Sequence, residues 1–202
     1  MEVVPCDLAD ASARDALAAE VERLGRDVEI LVNNAGFGIY VPFADSDRAR
    51  EVQQVRLNCE AAIDLTARWL PAMVARGRGV VIVTSSTAAF QPIPGNASYA
   101  AGKAFLLSFA EAVHAEVAGS GVTVTALCPG PVQTGFQDAS DAHEFAAALP
   151  KPLLRTAEQV AAAALEGADR GRRVVIPGAP NRVTAVLGRV SPRPIVLRLM
   201  NR

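Results

Sequence analysis

Two rhythms of apolar residues alternate along the chain. From Asp10 or Ser12, either of which can cap a helix, Leu17, Val21 and Leu24 recur at helical spacing, and Gly25 is a stop signal. Ile30 to Val32 is a short apolar run closed by Asn33-Asn34-Ala35-Gly36, which predicts a strand and its exit. A long helical pattern then runs from about Asp47 to Val74, interrupted at Asn58 and carrying Pro71 near its end. Gly79 to Thr84, GVVIVT, is a continuous β-branched run, the pattern of a strand covered on both faces. A helix is predicted through SYAAGK (98–103) to about Val117, ended by Gly119 and Gly121. Val122 to Leu127 reads as the next strand, running into CPGPVQTGF. Thr156 with Gln159 has the spacing of a capping box, Val174 to Ile176 is a last short strand, and Pro192 and Pro194 divide Asn181–Arg202 into two short helices.

Strands separated by helices of this length pair in parallel, which predicts a three-layer α/β sandwich of Rossmann-like type. In such a sheet, ligands bind beyond the carboxyl ends of the strands. NNAG (33–36), TSS (84–86) and CPGPVQT (128–134) all fall at such ends, and CDL (6–8) follows the first apolar pair, Val3-Val4.

Composition narrows the picture. The 202 residues are half hydrophobic and one-fifth charged, enough for one domain over 1–202, with no linker or repeat dividing it. The net charge of -1 gives no reason to expect a nucleic-acid partner, but it is unevenly spread. Residues 170–202 hold eight arginines and no acid, whereas the preceding 169 residues hold twelve basic and 21 acidic side chains. The basic, helical tail over 177–202 is either a solvated face or a contact for a membrane surface, an acidic partner or an acidic substrate. Cys6, Cys59 and Cys128 have no metal or CxxC spacing and read as small core residues, which fits a reducing, cytoplasmic setting. The N-terminus has no signal-peptide pattern, and no acidic or histidine cluster suggests a metal.

The chemistry-bearing pattern is Tyr99 and Lys103, which share a helix face at i and i+4. A nearby ammonium would favour the phenolate and lower the tyrosine pKa from its usual value of about 10. Ser86, thirteen residues earlier, could donate to the same substrate oxygen, and the small residues Ala97, Ala100, Ala101 and Gly102 would let a flat ligand or a helix approach. YxxxK alone is a weak signal; the other pieces fall in order around it.

That ordered set (CDL, NNAG, Asn58 within a long helix, Ser86, Tyr99-x-x-x-Lys103 and PGPVQT) resembles the short-chain dehydrogenase/reductase family over about residues 3–176. The resemblance implies a catalytic tetrad of Asn58, Ser86, Tyr99 and Lys103. Tyr99 would pass a proton to or from the substrate oxygen, Ser86 would polarise that oxygen, Lys103 would hold the nicotinamide ribose and tune Tyr99, and Asn58 would hold a water of a proton relay. It also implies contacts to NAD or NADP from Asp7, Leu8, Asn34, Ala35, Gly36, Tyr99, Lys103, Pro129, Gly130, Val132 and Thr134. The implied substrate is a small alcohol or carbonyl compound, apolar because Gln91–Asn96 and Gln137–Leu154, which would line its pocket, are apolar and Ala/Pro-rich. His143 is a candidate substrate contact, His114 a surface or interface residue, and the assembly a homodimer or homotetramer.

The chain departs from the family pattern in lacking the glycine-rich TGxxxGxG turn that presents backbone N–H groups to a pyrophosphate. By resemblance the sheet order is 3-2-1-4-5-6-7, and this chain starts at the third strand. An N-terminally truncated fold, its first two strands missing, is therefore expected, with the Ile30 strand left at an open edge. Three explanations stand: a piece of a longer enzyme, the one favoured here; a first strand that slides beside the fourth; or cover by another subunit. On this reading the chain alone binds nicotinamide cofactor weakly, and a non-catalytic dimerising or binding module is the alternative function.

Overall fold

The computed structural model describes residues 2–136, 140 and 151–200. Four parallel strands form the main sheet: β1 (Ile30–Asn33), β2 (Gly79–Thr84), β3 (Val122–Leu127) and, later in the chain, the short strand Val174–Val175. Their spatial order follows their chain order, and Ile30 to Asn33 pair with Val80 to Val83. A two-stranded parallel pair lies apart, β4 (Val132–Gln133) with β5 (Arg155–Thr156), so the strand Val174–Val175 is β6.

Alternate residues of the strands feed two apolar clusters. Leu31, Val81, Val83, Val124 and Ala126 pack on one face with residues of α1 (Ala11–Arg23), α3 (Ala61–Arg76) and α4 (Ala97–Glu116). Ile82, Leu127 and Val175 pack on the other with Val160, Ala164 and Ala168 of α5 (Ala157–Asp169). The three layers follow from this alternation. Cover on the α5 side does not reach β1: Ile30 and Val32, whose partners Val80 and Ile82 face that side, are each 51% exposed.

The helix boundaries follow local chemistry. The Asp10 side chain accepts from the Ser12 N–H to start α1, and Asp47 accepts from the Arg50 N–H to start α2 (Arg48–Val55). Thr156 and Gln159 form the full capping box of α5. Gly77 closes α3 in the left-handed region (φ 69°). The tail folds as α6 (Ala179–Val190) and α7 (Arg193–Met200) on either side of Pro192. Among the described residues, no helix is long and apolar enough to cross a membrane.

Two expectations are corrected, one is refined and one residue was overlooked. Val3 and Val4 form no strand and are exposed; with no described strand beyond β1, nothing is there to complete their ladder. Cys6 is only partly buried, unlike Cys59 and Cys128. His114, expected at a surface or interface, is half-buried, and its Nδ1 lies 2.8 Å from the Val124 carbonyl oxygen, which ties α4 to β3. Arg14 was unremarked in the sequence, yet it occupies the packed face of α1 at 2% exposure.

Candidate active site

Because the strands are parallel, the exits of β1, β2 and β3 lie at one end of the sheet, and the residues singled out in the sequence gather there. The β2 exit is bound on both sides. The Ser85 N–H donates to the Leu127 carbonyl (2.7 Å), and Ser85 Oγ donates to the Lys103 carbonyl (2.7 Å). Ser86 follows in extended backbone (φ −165°) and caps the 3-10 turn Thr87–Phe90 by accepting from the Ala88 N–H. Its hydroxyl acts on the Tyr99 phenol, lowering that group's pKa.

Tyr99 sits in the first turn of α4, 7% exposed, between the rings of Tyr40 and Phe136 at centroid distances of 6.4 and 5.9 Å. Lys103 lies on the same face, its Nζ 5.5 Å from the Tyr99 ring centroid. That ammonium donates to the Thr84 carbonyl (2.7 Å) at the end of β2. Strand exit, serine, tyrosine and lysine thus form one connected group.

The electrostatics run against the sequence expectation. Burial holds the Tyr99 phenol well above its usual range, the neighbouring Tyr40 adds to this, and the hydrogen bond from Ser86 opposes it. Lys103 does not offset the burial, and burial pushes its own ammonium down to about 8. The reason is that both groups are withdrawn from water while the ammonium points at a backbone carbonyl rather than at the phenol oxygen. Tyr40 is likewise raised by burial, against a hydrogen bond with Asn96.

Asn58 lies where α2 passes into α3. A π-helical turn, Arg56–Glu60, interrupts the regular helix there, with the Ala61 N–H reaching back to the Arg56 carbonyl. The break was expected, but the side chain is engaged elsewhere: Oδ1 accepts from the Phe37 N–H (3.2 Å) and Nδ2 donates to the Phe37 carbonyl (2.9 Å). Asn58 therefore clamps the loop after NNAG. Gly36 is required by that clamp, since a Cβ there would lie 2.7 Å from Asn58 Oδ1.

A second group of predicted residues frames a cavity of about 120 Å³ at the β1 exit. Leu8, Asn34, Ala35 and Asn58 line it together with Asn33 and Thr84. Asn34 Oδ1 accepts from Thr84 Oγ1 (3.2 Å), and Asn33 presents a buried Oδ1 with no partner. Asp7 is a turn residue, accepting from the Ala9 N–H. Pro129 accepts from the Thr87 N–H, which joins the β3 exit to the Ser86 turn. Gly130 gives room to the buried Asn181, where a Cβ would lie 2.4 Å from Oδ1. Val132 belongs to β4, and exposed Thr134 accepts from the Phe136 N–H. Asp7, Pro129, Gly130, Val132 and Thr134 do not line that cavity.

Sequence reasoning missed Tyr40 and gave no individual role to Thr84 and Ser85 within TSS or to Asn96 at the end of the Gln91–Asn96 segment. Ser85 and Thr84 act by hydrogen bonds to groups distant in the chain, which carry no periodic signal. Tyr40 lies in an irregular loop. Arg14 was missed because an arginine at an apolar helix position reads as a fault until its partners are seen: it donates to Asp64 (2.5 Å), Glu60 (2.6 Å) and the Leu8 carbonyl (2.7 Å). His143 lies outside the described residues.

Ser86, Tyr99 and Lys103 thus stand together at the carboxyl end of a parallel sheet in an α/β fold. Comparison with known proteins gives the family: the short chain dehydrogenase model matches residues 1–144, and the chain belongs to that family. It is 41% identical over 108 residues to the uncharacterized oxidoreductase YbbO of Escherichia coli K12, a match covering 54% of this chain and 40% of that protein. It is 32% identical over 198 residues to the 2-(R)-hydroxypropyl-CoM dehydrogenase of Xanthobacter autotrophicus, covering 87% of this chain and 76% of that one. A short-chain dehydrogenase from Sphingobium yanoikuyae in complex with NADPH superposes with a TM-score of 0.76 at 29% identity, over 91% of this chain and 70% of the other. For YbbO and the ketoacyl reductase HetN of Nostoc, the match spans 40% and 47% of the relative's length.

Proposed function

We propose that this site transfers a hydride between NAD or NADP and an apolar alcohol or carbonyl compound, with Tyr99 as the general acid/base. The observation that carries the reading is Tyr99 buried in the first turn of α4 with Lys103 on the same face, its Nζ 5.5 Å from the ring and held by the Thr84 carbonyl at the β2 exit.

The residues present fit part of a dinucleotide. Leu8, Asn34 and Ala35 line a cleft at a strand exit, and the unpartnered Asn33 Oδ1 offers a polar contact. When bound, the nicotinamide supplies the hydride donor or acceptor. In the reducing direction, Ser86 and Tyr99 donate hydrogen bonds to the substrate oxygen, and the Tyr99 proton moves to that oxygen as it gains charge. Lys103, held by the Thr84 carbonyl, places a positive charge beside the phenolate that results. Burial keeps Tyr99 protonated at neutral pH, so the group is poised as an acid, and oxidation requires it first to lose its proton. Asn58 acts as a positioning residue through Phe37, and its place in a proton relay remains part of the proposal. Support also comes from the relative named a dehydrogenase and from the Sphingobium enzyme in complex with NADPH.

A homodimer or homotetramer through α2, α3 and α4 belongs to the same reading, supported by exposed Val52, Val55, Ile63 and Phe105 on those helices. One observation favours the second reading, a non-catalytic binding module: the 202 residues contain no TGxxxGxG turn. The two separate in a fluorescence titration with NADH and NADPH followed by a carbonyl-reduction assay on apolar ketones. The enzyme reading expects reduction that depends on Ser86 and Tyr99, with cofactor affinity weaker than micromolar for this chain. Absence of turnover, with or without cofactor binding, would favour the module.

A further inference from the structure

The tail reverses the ordinary logic of a surface helix. α6 turns Asn181, Ala185 and Gly188 toward the body, where all three are buried. Its large apolar side chains, Val183, Val186, Leu187 and Val190, fall at i, i+3, i+4 and i+7, so they share one face, and each is 55–69% exposed. A soluble helix with no partner buries that row and exposes the small and polar one. α7 buries Val196 and leaves Ile195, Leu197 and Leu199 exposed. Contiguous exposed aliphatic surface of this kind marks a contact.

Charge identifies the contact. Arg170 and Arg173 are matched by Glu166 and Glu111. Arg182, Arg189 and Arg198, which flank the apolar row, have no ion pair among the described residues, and no acid occurs from 170 to 202. We propose that the exposed face of α6 and α7 docks on an anionic lipid surface, its aliphatic row entering the headgroup boundary and its unpaired arginines meeting lipid phosphates and carboxylates. The row is wholly aliphatic and lies on exposed helix faces, which suits a fluid interface.

The dock is fastened to the candidate site. Ala185 packs in the same core cluster as Phe90, Gly188 abuts the Gln91 side chain, and Arg193 Nη1 donates to the Phe90 carbonyl (3.3 Å). Phe90 ends the turn that Ser86 caps. Docking would therefore hold that turn at a fixed height above the lipid. The inference rests on exposure and charge alone and is independent of the proposed chemistry.

The test is co-sedimentation of the full chain with phosphatidylcholine vesicles, with and without roughly one-third phosphatidylserine. The chain is expected to bind the anionic vesicles at least about tenfold more tightly than the neutral ones, with affinity falling as salt rises. Val186→Asp with Leu187→Asp, and separately Arg182→Gln with Arg189→Gln and Arg198→Gln, should each weaken binding by about tenfold or more. These side chains are exposed, so unchanged circular dichroism and melting temperature are expected and keep the comparison fair. Equal binding to both vesicles, no binding to either, or binding unaffected by both variants would overturn the proposal. So would sedimentation analysis finding a dimer that Val186→Asp abolishes while vesicle binding is absent, which would make the face a protein contact.

Discussion

Tyr99 and Lys103 are coupled through burial more than through each other. The sequence places a cation one turn from a phenol and suggests an easily ionised tyrosine; the fold instead dries both groups, and the phenol becomes harder to ionise. For Lys103 the consequence is a pH dependence of stability. Its folded pKa of about 8 lies below its ordinary value of 10.5, so between these values the unfolded chain binds more protons than the folded one, and stability from this group rises with pH. Below pH 8 the buried charge is a constant cost. Denaturation of the native chain and of Lys103→Met across that range should give a stability difference that moves in favour of the native chain by about 3 kcal/mol as pH rises. A difference that stays flat would mean that Lys103 is better solvated than its surroundings indicate. At Gly36, an added Cβ would displace the Asn58 amide, so Gly36→Ala is expected to cost about 1–3 kcal/mol in chemical denaturation and to loosen the 33–38 loop.

At the scale of elements, the repeating parts were legible and the connecting ones were not. GVVIVT declares a buried strand through its β-branched run and VTVTAL reads as the next strand, and both were found over the predicted spans. The Thr156 capping box and the break at Asn58 were likewise readable, because caps and helix interruptions are short-range features. Val3-Val4 forms no strand because a strand is defined by its neighbour, and none pairs with it among the described residues. Tertiary hydrogen bonds such as Ser85 to Lys103 leave no local trace. Two element junctions give sharp tests. Gly121 (φ 82°) immediately precedes β3, and a Cβ there would lie 2.0 Å from the Gly77 carbonyl oxygen. Gly121→Ala combines left-handed strain with a backbone overlap, and a loss of at least about 2 kcal/mol is expected by urea denaturation. Arg14 joins α1 to α3 through Asp64 and Glu60, and Arg14→Ala should cost about 2–4 kcal/mol, less than a fully enclosed pair because Glu60 is half exposed. Wild-type stability in either variant would contradict the packing described.

For the whole molecule, the parallel order of four strands is what matters, since it brings the NNAG, Ser86 and Pro129 exits to one end and lets α4 deliver Tyr99 and Lys103 there. The family follows from the chain, while the chemistry rests on the proposed proton transfer from Tyr99. The most direct test is the rate of apolar ketone reduction at saturating reduced cofactor, compared between the native chain and Tyr99→Phe, with cofactor affinity measured in parallel. The account predicts turnover in the native chain, a fall of about a hundredfold or more in the variant, and affinity unchanged within about threefold. A variant as fast as the native chain, or a native chain with no turnover above background, would contradict it.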